Sequence, residues 1–162
     1  MITNNKHEPI TAIVVDDDID TLDVFCEYLE LYQFRIVGKA YNGERVAELY
    51  SKFRPDVVFL DVMMDNYDGI YALEQIRKVN PDAIVIMVTA DLRKDTSEKL
   101  ERLHASAVIY KPFDISKAIH ITEYLVGSQK NNTSNIKQLE SLVAPPTLTF
   151  SVHPQEIWTV QK

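Results

Sequence analysis

The stretch Val57-Val58-Phe59-Leu60-Asp61 decides the fold class of this chain. Four consecutive apolar residues that end in a carboxylate predict a strand buried on both faces, because a strand with one solvated face would alternate apolar and polar residues. Pro55 stops the preceding helical stripe. Carboxylates that follow buried parallel strands lie at the carboxyl edge of the sheet, where open α/β folds place their ligand crevices.

The same pattern recurs three times along the chain. An apolar run at residues 13–15 ends in two acids, a run at 84–88 ends in a hydroxyl, and a run at 108–110 ends in an amine; the residues concerned are Asp16, Asp17, Thr89 and Lys111. We therefore expect three acids, one hydroxyl and one amine to meet at one edge of the sheet.

Amphipathic helical stretches separate these runs, from residue 11 to about residue 127. Their apolar residues recur at helical spacing, and residues 34–40 add a further strand, so the pattern predicts five strands and five helices in βαβ units. Since the strands are apolar throughout, helices should cover both faces of a doubly wound parallel sheet, and right-handed crossovers leave few topologies.

The sequence divides into three parts. Residues 1–9 form an N-terminal tail, residues 10–127 form the α/β domain, and residues 128–162 form a polar linker with a short extension. Within this extension two helical turns are predicted at 136–143, and alternating apolar residues predict strands near 148–152 and 156–160. The extension is too short for a separate output domain.

Composition excludes several classes of function. The net charge of −7 argues against a general affinity for nucleic acid or anionic membranes. We find no apolar run of the roughly 20 residues needed to insert in a membrane, and no signal-peptide core. Cys26, the single cysteine, lies in an apolar helical face and cannot form an internal disulfide. These features predict a cytoplasmic protein whose cysteine is a core residue.

The residues at the strand ends suit a hard cation and a phosphoryl group. Mg2+, or Mn2+ in its place, prefers carboxylate oxygens together with water and phosphate oxygens. A carboxylate can attack phosphorus to give an acyl phosphate, and an amine can neutralise the charge that develops. Taken singly, each acid has a simpler explanation: Asp18 or Asp20 would cap a helix, and Asp65 and Asp68 would be loop carboxylates. The combination at four strand ends favours a site.

That combination resembles the receiver domain of two-component response regulators over about residues 10–127. Val-Val-Asp-Asp-Asp at 14–18 is similar to the acidic motif of the family, and Pro-Asp-Val-Val-Phe-Leu-Asp-Val-Met-Met at 55–64 to the phosphoacceptor segment. Thr-Ala at 89–90 and Lys-Pro-Phe at 111–113 match two further motifs. The resemblance implies a flavodoxin-like fold with strand order 2-1-3-4-5.

The resemblance also implies a role for each matching residue. Asp61 would be the phosphoacceptor, and Lys111 would precede a typically cis bond to Pro112. The metal would be held by Asp16, Asp17, Asp61 and the backbone carbonyl of Met63. Thr89 would be the switch hydroxyl with Ala90 as its small neighbour. Asp91, two residues after Thr89, would either orient the water that hydrolyses the acyl phosphate or cap the next helix.

This chain departs from the family at three positions. Asp65 stands where the family usually has Pro, so that loop should be looser. His104 replaces the usual Gly at the end of the fourth helix, a position that favours left-handed geometry. Val108 occupies the position of the switch aromatic, and Tyr110 has the same strand parity and would partly substitute for it. These departures concern the switching surface, and the phosphorylation chemistry is untouched.

The function implied is a stand-alone signalling phosphoacceptor. A sensor histidine kinase or a phosphotransfer protein would donate the phosphoryl group to Asp61. A downstream protein would bind the face built from the fourth helix, fifth strand and fifth helix. Direct nucleic-acid binding is not expected, and a homodimer is left open. The protein would catalyse only its own phosphorylation and slow dephosphorylation, so it is not classed as an enzyme.

Two alternatives belong to other classes. One is a haloacid-dehalogenase-like phosphatase, with Asp16 as nucleophile in the Asp-x-Asp of residues 16–18. That family needs a late strand that ends in paired acids, and none is found past Lys111. The other is a receiver-like binding module that is never phosphorylated, which the complete set of site residues argues against.

Overall fold

A five-stranded parallel sheet forms the centre of the computed structural model. The structure describes the backbone of residues 8–130, 149–153 and 156–161, and the side chains of residues 8–130. The strands of this sheet are β1 (Thr11–Val15), β2 (Arg35–Ala40), β3 (Val57–Asp61), β4 (Val85–Thr89) and β5 (Ala107–Tyr110). Their order is β2-β1-β3-β4-β5 and every pair is parallel, so the expected flavodoxin-like topology is confirmed.

Five helices cover both faces of this sheet, as the apolar strands predict. They are α1 (Ile19–Leu31), α2 (Val46–Phe53), α3 (Gly69–Val79), α4 (Lys94–Arg102) and α5 (Ile115–Lys130). Alternate residues of each strand enter two separate cores. In β1, Ile13 packs in the core shared with α2, α3 and α4, and Val14 packs in the core shared with α1 and α5. Cys26 is buried in this second core, as expected.

Acidic side chains cap the N-termini of two of these helices. Asp18 caps α1, because its carboxylate accepts a hydrogen bond of 2.8 Å from the N–H of Thr21. Asp68, predicted as a loop carboxylate, has the more specific role of capping α3, because its carboxylate accepts a hydrogen bond of 2.8 Å from the N–H of Tyr71. Both caps follow loops that leave the carboxyl edge, so they fix how the chain turns away from the site.

His104 has the left-handed geometry that its position after the fourth helix predicts, with φ of 52°. Arg77 stabilises this helix end from α3. Its guanidinium donates to the carbonyl oxygens of His104 at 2.6 Å, Leu103 at 3.1 Å and Ala83 at 2.7 Å. The bonds to Leu103 and His104 satisfy carbonyls that the helix end would otherwise leave unpaired, and the bond to Ala83 links α3 to the residues before β4.

The C-terminal part differs from expectation at its start. Helix α5 continues past Gly127 to Lys130, so residues 128–130 belong to the helix and not to a linker. The two predicted strands are found as an antiparallel pair, β6 (Thr149–His153) and β7 (Glu156–Gln161), and the backbone of β7 lies close to β5 and α4. Residues 1–7 and 131–148, with the helical turns predicted at 136–143, lie outside the described residues.

None of the helices in the described part of the chain combines the length and the apolar character that crossing a bilayer requires.

Candidate functional site

Three carboxylates meet at the carboxyl edge of the sheet. Strands β1 and β3 are neighbours, with Val15 paired to Leu60, so the acids that follow these residues emerge side by side. One carboxylate oxygen from each of Asp16, Asp17 and Asp61 lies within 4.8 Å of the others. Opposite oxygens around Mg2+ are about 4 Å apart, so small side-chain rotations bring these ligands to one ion. The donor set therefore fits a divalent cation.

Burial distinguishes the three acids. Asp16 and Asp61 are each only 7% exposed, and Asp17 is exposed. Burial raises the pKa of Asp61 to about 6; the neighbouring charges of Asp16 and Asp17 also raise it, while Lys111 and the backbone N–H of Met63 act in the opposite direction. Because the acids are crowded, their full ionisation is unfavourable unless a cation neutralises part of the negative charge. The arrangement therefore favours the binding of a metal ion.

Aromatic side chains form an apolar wall beside Asp61. Phe25 of α1 contacts Phe59 with ring centroids 5.1 Å apart and Phe113 with centroids 5.8 Å apart, both edge to face. All three line a small cavity together with Asp16, Asp61 and Lys111. The position of Phe25 beside the acids depends on how α1 packs on the sheet, so the helical spacing of apolar residues does not predict it.

Lys111 brings a positive charge to the acids. Its Nζ lies 2.9 Å from Oδ2 of Asp16 and 3.8 Å from Oδ2 of Asp61. The backbone N–H of Lys111 donates to the carbonyl of Thr89 at 2.8 Å, which extends the β4–β5 pairing to the lysine, and its bond to Pro112 is cis. The amine therefore stands between two carboxylates.

Thr89 ends β4 and is fully buried. It is one residue beyond Val88, which pairs with Asp61 of β3. Its Oγ1 accepts a hydrogen bond of 3.0 Å from the N–H of Asp91, while Ala90 between them is exposed. The hydroxyl at the end of β4 is thus hydrogen-bonded to the loop that joins β4 to α4.

Val108 and Tyr110 face the same side of β5. Both contact the core shared with α2, α3 and α4; Val108 is buried and Tyr110 is half-buried. The two side chains therefore lie on the same face of β5, as predicted. Tyr110 also pairs with Thr89 across the β4–β5 ladder. That Tyr110 replaces the switch aromatic stays a prediction.

Met63 and Gly69 bracket the loop that follows Asp61. The side chain of Met63 is exposed, and its N–H donates a long hydrogen bond of 3.4 Å to Oδ1 of Asp61. Gly69 donates to the carbonyl of Val62 at 3.0 Å, and a Cβ at this position would clash with the carbonyl oxygen of Asp61. A glycine eight residues after a strand-end acid gives no local sequence signal of this contact.

The raised pKa of Asp61 predicts a pH-dependent metal affinity. Protons compete with Mg2+ for Asp61, so the affinity should rise roughly tenfold from pH 5 to pH 7 and then level off. Without metal, the folded chain binds this proton more tightly than the unfolded chain, so stability should fall as pH rises from about 4 to about 6. Calorimetric titration with Mg2+ checks the first expectation, with Asp61→Asn as the pH-insensitive control. An equal affinity at pH 5 and pH 7 would contradict it.

Comparisons with known proteins agree on one family. The sequence model of one protein family, the response regulator receiver domain, matches residues 12–123. The chain is 36% identical over 119 residues to protein CcdB of Bacillus subtilis, which covers 73% of this chain and 99% of that protein. It is 33% identical over 102 residues to chemotaxis protein CheY of Halobacterium salinarum, covering 63% of this chain and 84% of that protein.

A solved structure shows the same fold with ligands. It is the CheX–CheY–BeF3–Mg2+ complex from Borrelia burgdorferi, and its matching chain superposes with a TM-score of 0.67 at 27% identity. The match covers 72% of this chain and 89% of that chain. Besides the matching chain, that complex contains a second protein, BeF3 and Mg2+.

Proposed function

This chain belongs to the response regulator receiver family, and from that membership we propose that it accepts a phosphoryl group on Asp61 in a Mg2+-dependent reaction. The observation that carries the proposal is the position of Asp61, at the end of the central strand β3 with two further acids and an amine around it. Above a pH of about 6 the side chain is mainly a carboxylate and so a nucleophile.

In the proposed step, a carboxylate oxygen of Asp61 attacks the phosphorus of a phosphohistidine. The P–N bond breaks, an acyl phosphate forms, and the donor imidazole leaves with the electron pair and takes up a proton. Lys111, now 3.8 Å from Asp61, would pair with a phosphoryl oxygen. When bound, Mg2+ supplies positive charge to the phosphoryl oxygens, and Asp16, Asp17, Asp61 and the carbonyl of Met63 would hold it.

The proposed donor is a sensor histidine kinase or a phosphotransfer protein. Exposed apolar side chains on α1 beside the site support such docking, among them Val24 and Tyr28. Together with Phe113 and Ile115 they line a groove, and Phe113 also lines the cavity at Asp61. A partner helix in this groove would place its phosphohistidine next to the acceptor.

The proposed output is a change in the α4–β5–α5 face that a downstream protein binds. Phosphorylation would shift an existing equilibrium toward the conformation in which Thr89 reaches the phosphoryl group. Because the backbone of β7 lies close to β5 and α4, a partner would share this face with β7 or displace it. The activity is that of a signalling phosphoacceptor.

The experiment that tests the proposal is labelling with acetyl phosphate, followed by intact-mass spectrometry. We expect one phosphoryl group per chain in the presence of Mg2+ and none in the presence of EDTA. Labelling that is unaffected by EDTA would contradict the proposed metal dependence, and absence of labelling under both conditions would favour the binding-module alternative.

Asp17→Asn is expected to weaken Mg2+ binding by at least roughly tenfold, because loss of an outer partner of a metal ligand already costs about ten- to a hundredfold and Asp17 would hold the ion itself. The side chain is exposed, so folding should be nearly unchanged. Calorimetric titration measures the affinity. Asp20→Asn is the matched control, because Asp20 is also exposed and lies outside the acidic cluster. Wild-type affinity in Asp17→Asn would exclude the residue from the site.

Lys111→Ala is expected to impair the response to phosphorylation more than the fold. The amine pairs with Asp16 before phosphorylation and would pair with a phosphoryl oxygen afterwards. Hydrogen exchange of residues 89–113, with and without acetyl phosphate, should change in the wild type and change much less in the variant. Identical changes in both proteins would mean that Lys111 has no switching role.

A further inference from the structure

We propose that Asp91 is a positioning residue that ties the switch hydroxyl of Thr89 to the first turn of α4: its backbone N–H bonds to Thr89, and its carboxylate bonds to Thr96. The proposal rests on the proposed function, because it concerns how α4 follows phosphorylation of Asp61. It decides between the two roles that the sequence left open for Asp91. In this arrangement the carboxylate is committed to the protein and does not orient a hydrolytic water.

Hydrogen bonds run from Thr89 through Asp91 to Thr96. The N–H of Asp91 donates to Oγ1 of Thr89 at 3.0 Å, and the hydroxyl of Thr96 donates to Oδ2 of Asp91 at 2.7 Å. Arg93 holds the same carboxylate from the solvent side: its Nη2 donates to Oδ2 at 2.7 Å, and its Nε and backbone N–H each donate to Oδ1 at 2.9 Å. Asp91 thus joins the end of β4 to α4.

The electrostatics agree with this geometry. Asp91 is only 6% exposed, and hydrogen bonds from the Arg93 side chain hold its pKa well below the usual range, with a further contribution from Thr96 and against the effect of burial. A buried carboxylate with this many donors loses them if it turns toward water, and uncompensated buried charge is strongly unfavourable. The carboxylate is therefore fixed in place at neutral pH.

Helix α4 has few other contacts that fix its start. Its N-cap residue, Arg93, makes no capping hydrogen bond with its side chain, and the helix buries only Thr96, Ser97 and Leu100. Two of these three side chains are polar, so apolar packing contributes little. Because Thr96 lies in the first turn, its bond to Asp91 joins this helix end to the end of β4, beside the bonds that Arg93 makes to the same carboxylate.

This arrangement gives a route from the phosphoryl group to α4. When the Thr89 hydroxyl turns to donate to a phosphoryl oxygen, the geometry of its bond with the Asp91 N–H changes. Asp91 then shifts, and Thr96 moves with it because the hydroxyl of Thr96 is hydrogen-bonded to the Asp91 carboxylate. A local reorientation is thereby converted into displacement of a helix on the output face.

Thr96→Val tests the tie, because it removes the hydroxyl and leaves Thr89 and Asp91 in place. Thr96→Ser is the matched control, since it keeps a hydroxyl that can donate to Asp91. Hydrogen exchange is followed by mass spectrometry on the full chain, with and without beryllofluoride and Mg2+. Thermal melting of each variant verifies folding, and Arg93→Ala, at an exposed side chain, provides a second way to loosen the carboxylate.

Without beryllofluoride, we expect amides of α4 to exchange roughly fivefold faster in Thr96→Val, and at the wild-type rate in Thr96→Ser. Beryllofluoride should alter the exchange rate of α4 amides in Thr96→Val by less than half as much as it does in the wild type. Its effect on the exchange of residues 89–91 should be the same in both proteins. Wild-type exchange in α4 of Thr96→Val would overturn the proposal. Faster basal exchange with an undiminished beryllofluoride response would also overturn it, because Asp91 would then only cap the helix.

Two further outcomes separate this proposal from others. A longer-lived acyl phosphate in Asp91→Asn, with unchanged exchange in α4, would assign Asp91 the water-orienting role and overturn the tie. If the wild type neither binds beryllofluoride nor becomes phosphorylated, the proposed function fails. The exchange difference between Thr96→Val and Thr96→Ser in the free protein still decides whether Asp91 anchors α4.

Discussion

Asp61→Asn is expected to abolish phosphorylation by acetyl phosphate and Mg2+, with labelling reduced from one phosphoryl group per chain to none. An amide lacks the anionic oxygen that forms the acyl phosphate, and no other acid of the described residues ends the central strand. Intact-mass spectrometry measures the labelling. Unchanged labelling of Asp61→Asn would refute the assignment.

The residue that carries the trapped acyl phosphate distinguishes the phosphatase alternative. Both oxygens of Asp16 are engaged, since Oδ2 lies 2.9 Å from Nζ of Lys111 and Oδ1 accepts from the N–H of Asp18 at 2.9 Å. These contacts suit a metal-site and charge-pairing residue better than a nucleophile. Trapped acyl phosphate should therefore map to Asp61 by peptide mass spectrometry, and mapping to Asp16 would favour the phosphatase.

The same substitution at Asp61 should stabilise the fold at pH 7 in the absence of metal. Burial and the two neighbouring acids raise the pKa of Asp61 to about 6, so its charged form is unfavourable there. Replacing it by a neutral amide of similar shape is expected to add on the order of 1 kcal/mol to the free energy of unfolding. Urea unfolding in EDTA measures this gain.

Gly69→Ala is expected to destabilise the protein by about 2 kcal/mol or more and to impair phosphorylation at the same time. A Cβ at this position would clash with the carbonyl oxygen of Asp61 and would lie 2.8 Å from Cα of Val62. Both are backbone atoms, so the clash is relieved only if β3 and α3 separate. Asp61 would then move relative to Asp16. Urea unfolding and the rate of labelling by acetyl phosphate measure the two effects.

Gly127→Ala is the matched control for that substitution. Gly127 lies within α5, and an added Cβ there meets no atom within 4 Å. Since alanine favours a helix over glycine by about 1 kcal/mol, this variant should be slightly more stable and should be labelled like the wild type. If Gly69→Ala were as stable and as active as Gly127→Ala, the close approach of α3 to Asp61 would not matter for the site.

Local pattern was enough to predict the strands and the site. Runs such as residues 57–60 are apolar without interruption, so they predict buried strands from local sequence alone. Parallel strands also place their carboxyl ends at one edge, so this rule predicts Asp16, Asp17 and Asp61 at the same edge of the sheet. That the three acids are neighbours there depends on the pairing of β1 with β3. The strand order came from the resemblance to a family.

The extent of α5 depended on contacts distant in sequence. Gly127 and the polar residues after it predict a helix end, because glycine is a poor helix former. The helix nevertheless continues, since Lys130 pairs with Asp56 at 3.3 Å and Gln129 donates to the carbonyl of Asp82 at 2.6 Å. These partners lie in loops distant in sequence, and their contacts support the helix beyond the glycine.

The amino-acid sequence by itself determined which residues reach the carboxyl edge, because strand periodicity and chain direction are local properties. Only the tertiary structure decided which partner each of them has there. In the folded chain Asp68 caps a helix, and Asp91 bonds to Arg93 and Thr96. The carbonyl of Asp61 lies in close contact with Gly69. A hydrogen bond or a steric contact forms over a few ångströms in space, and the spacing of residues along the chain does not specify that distance.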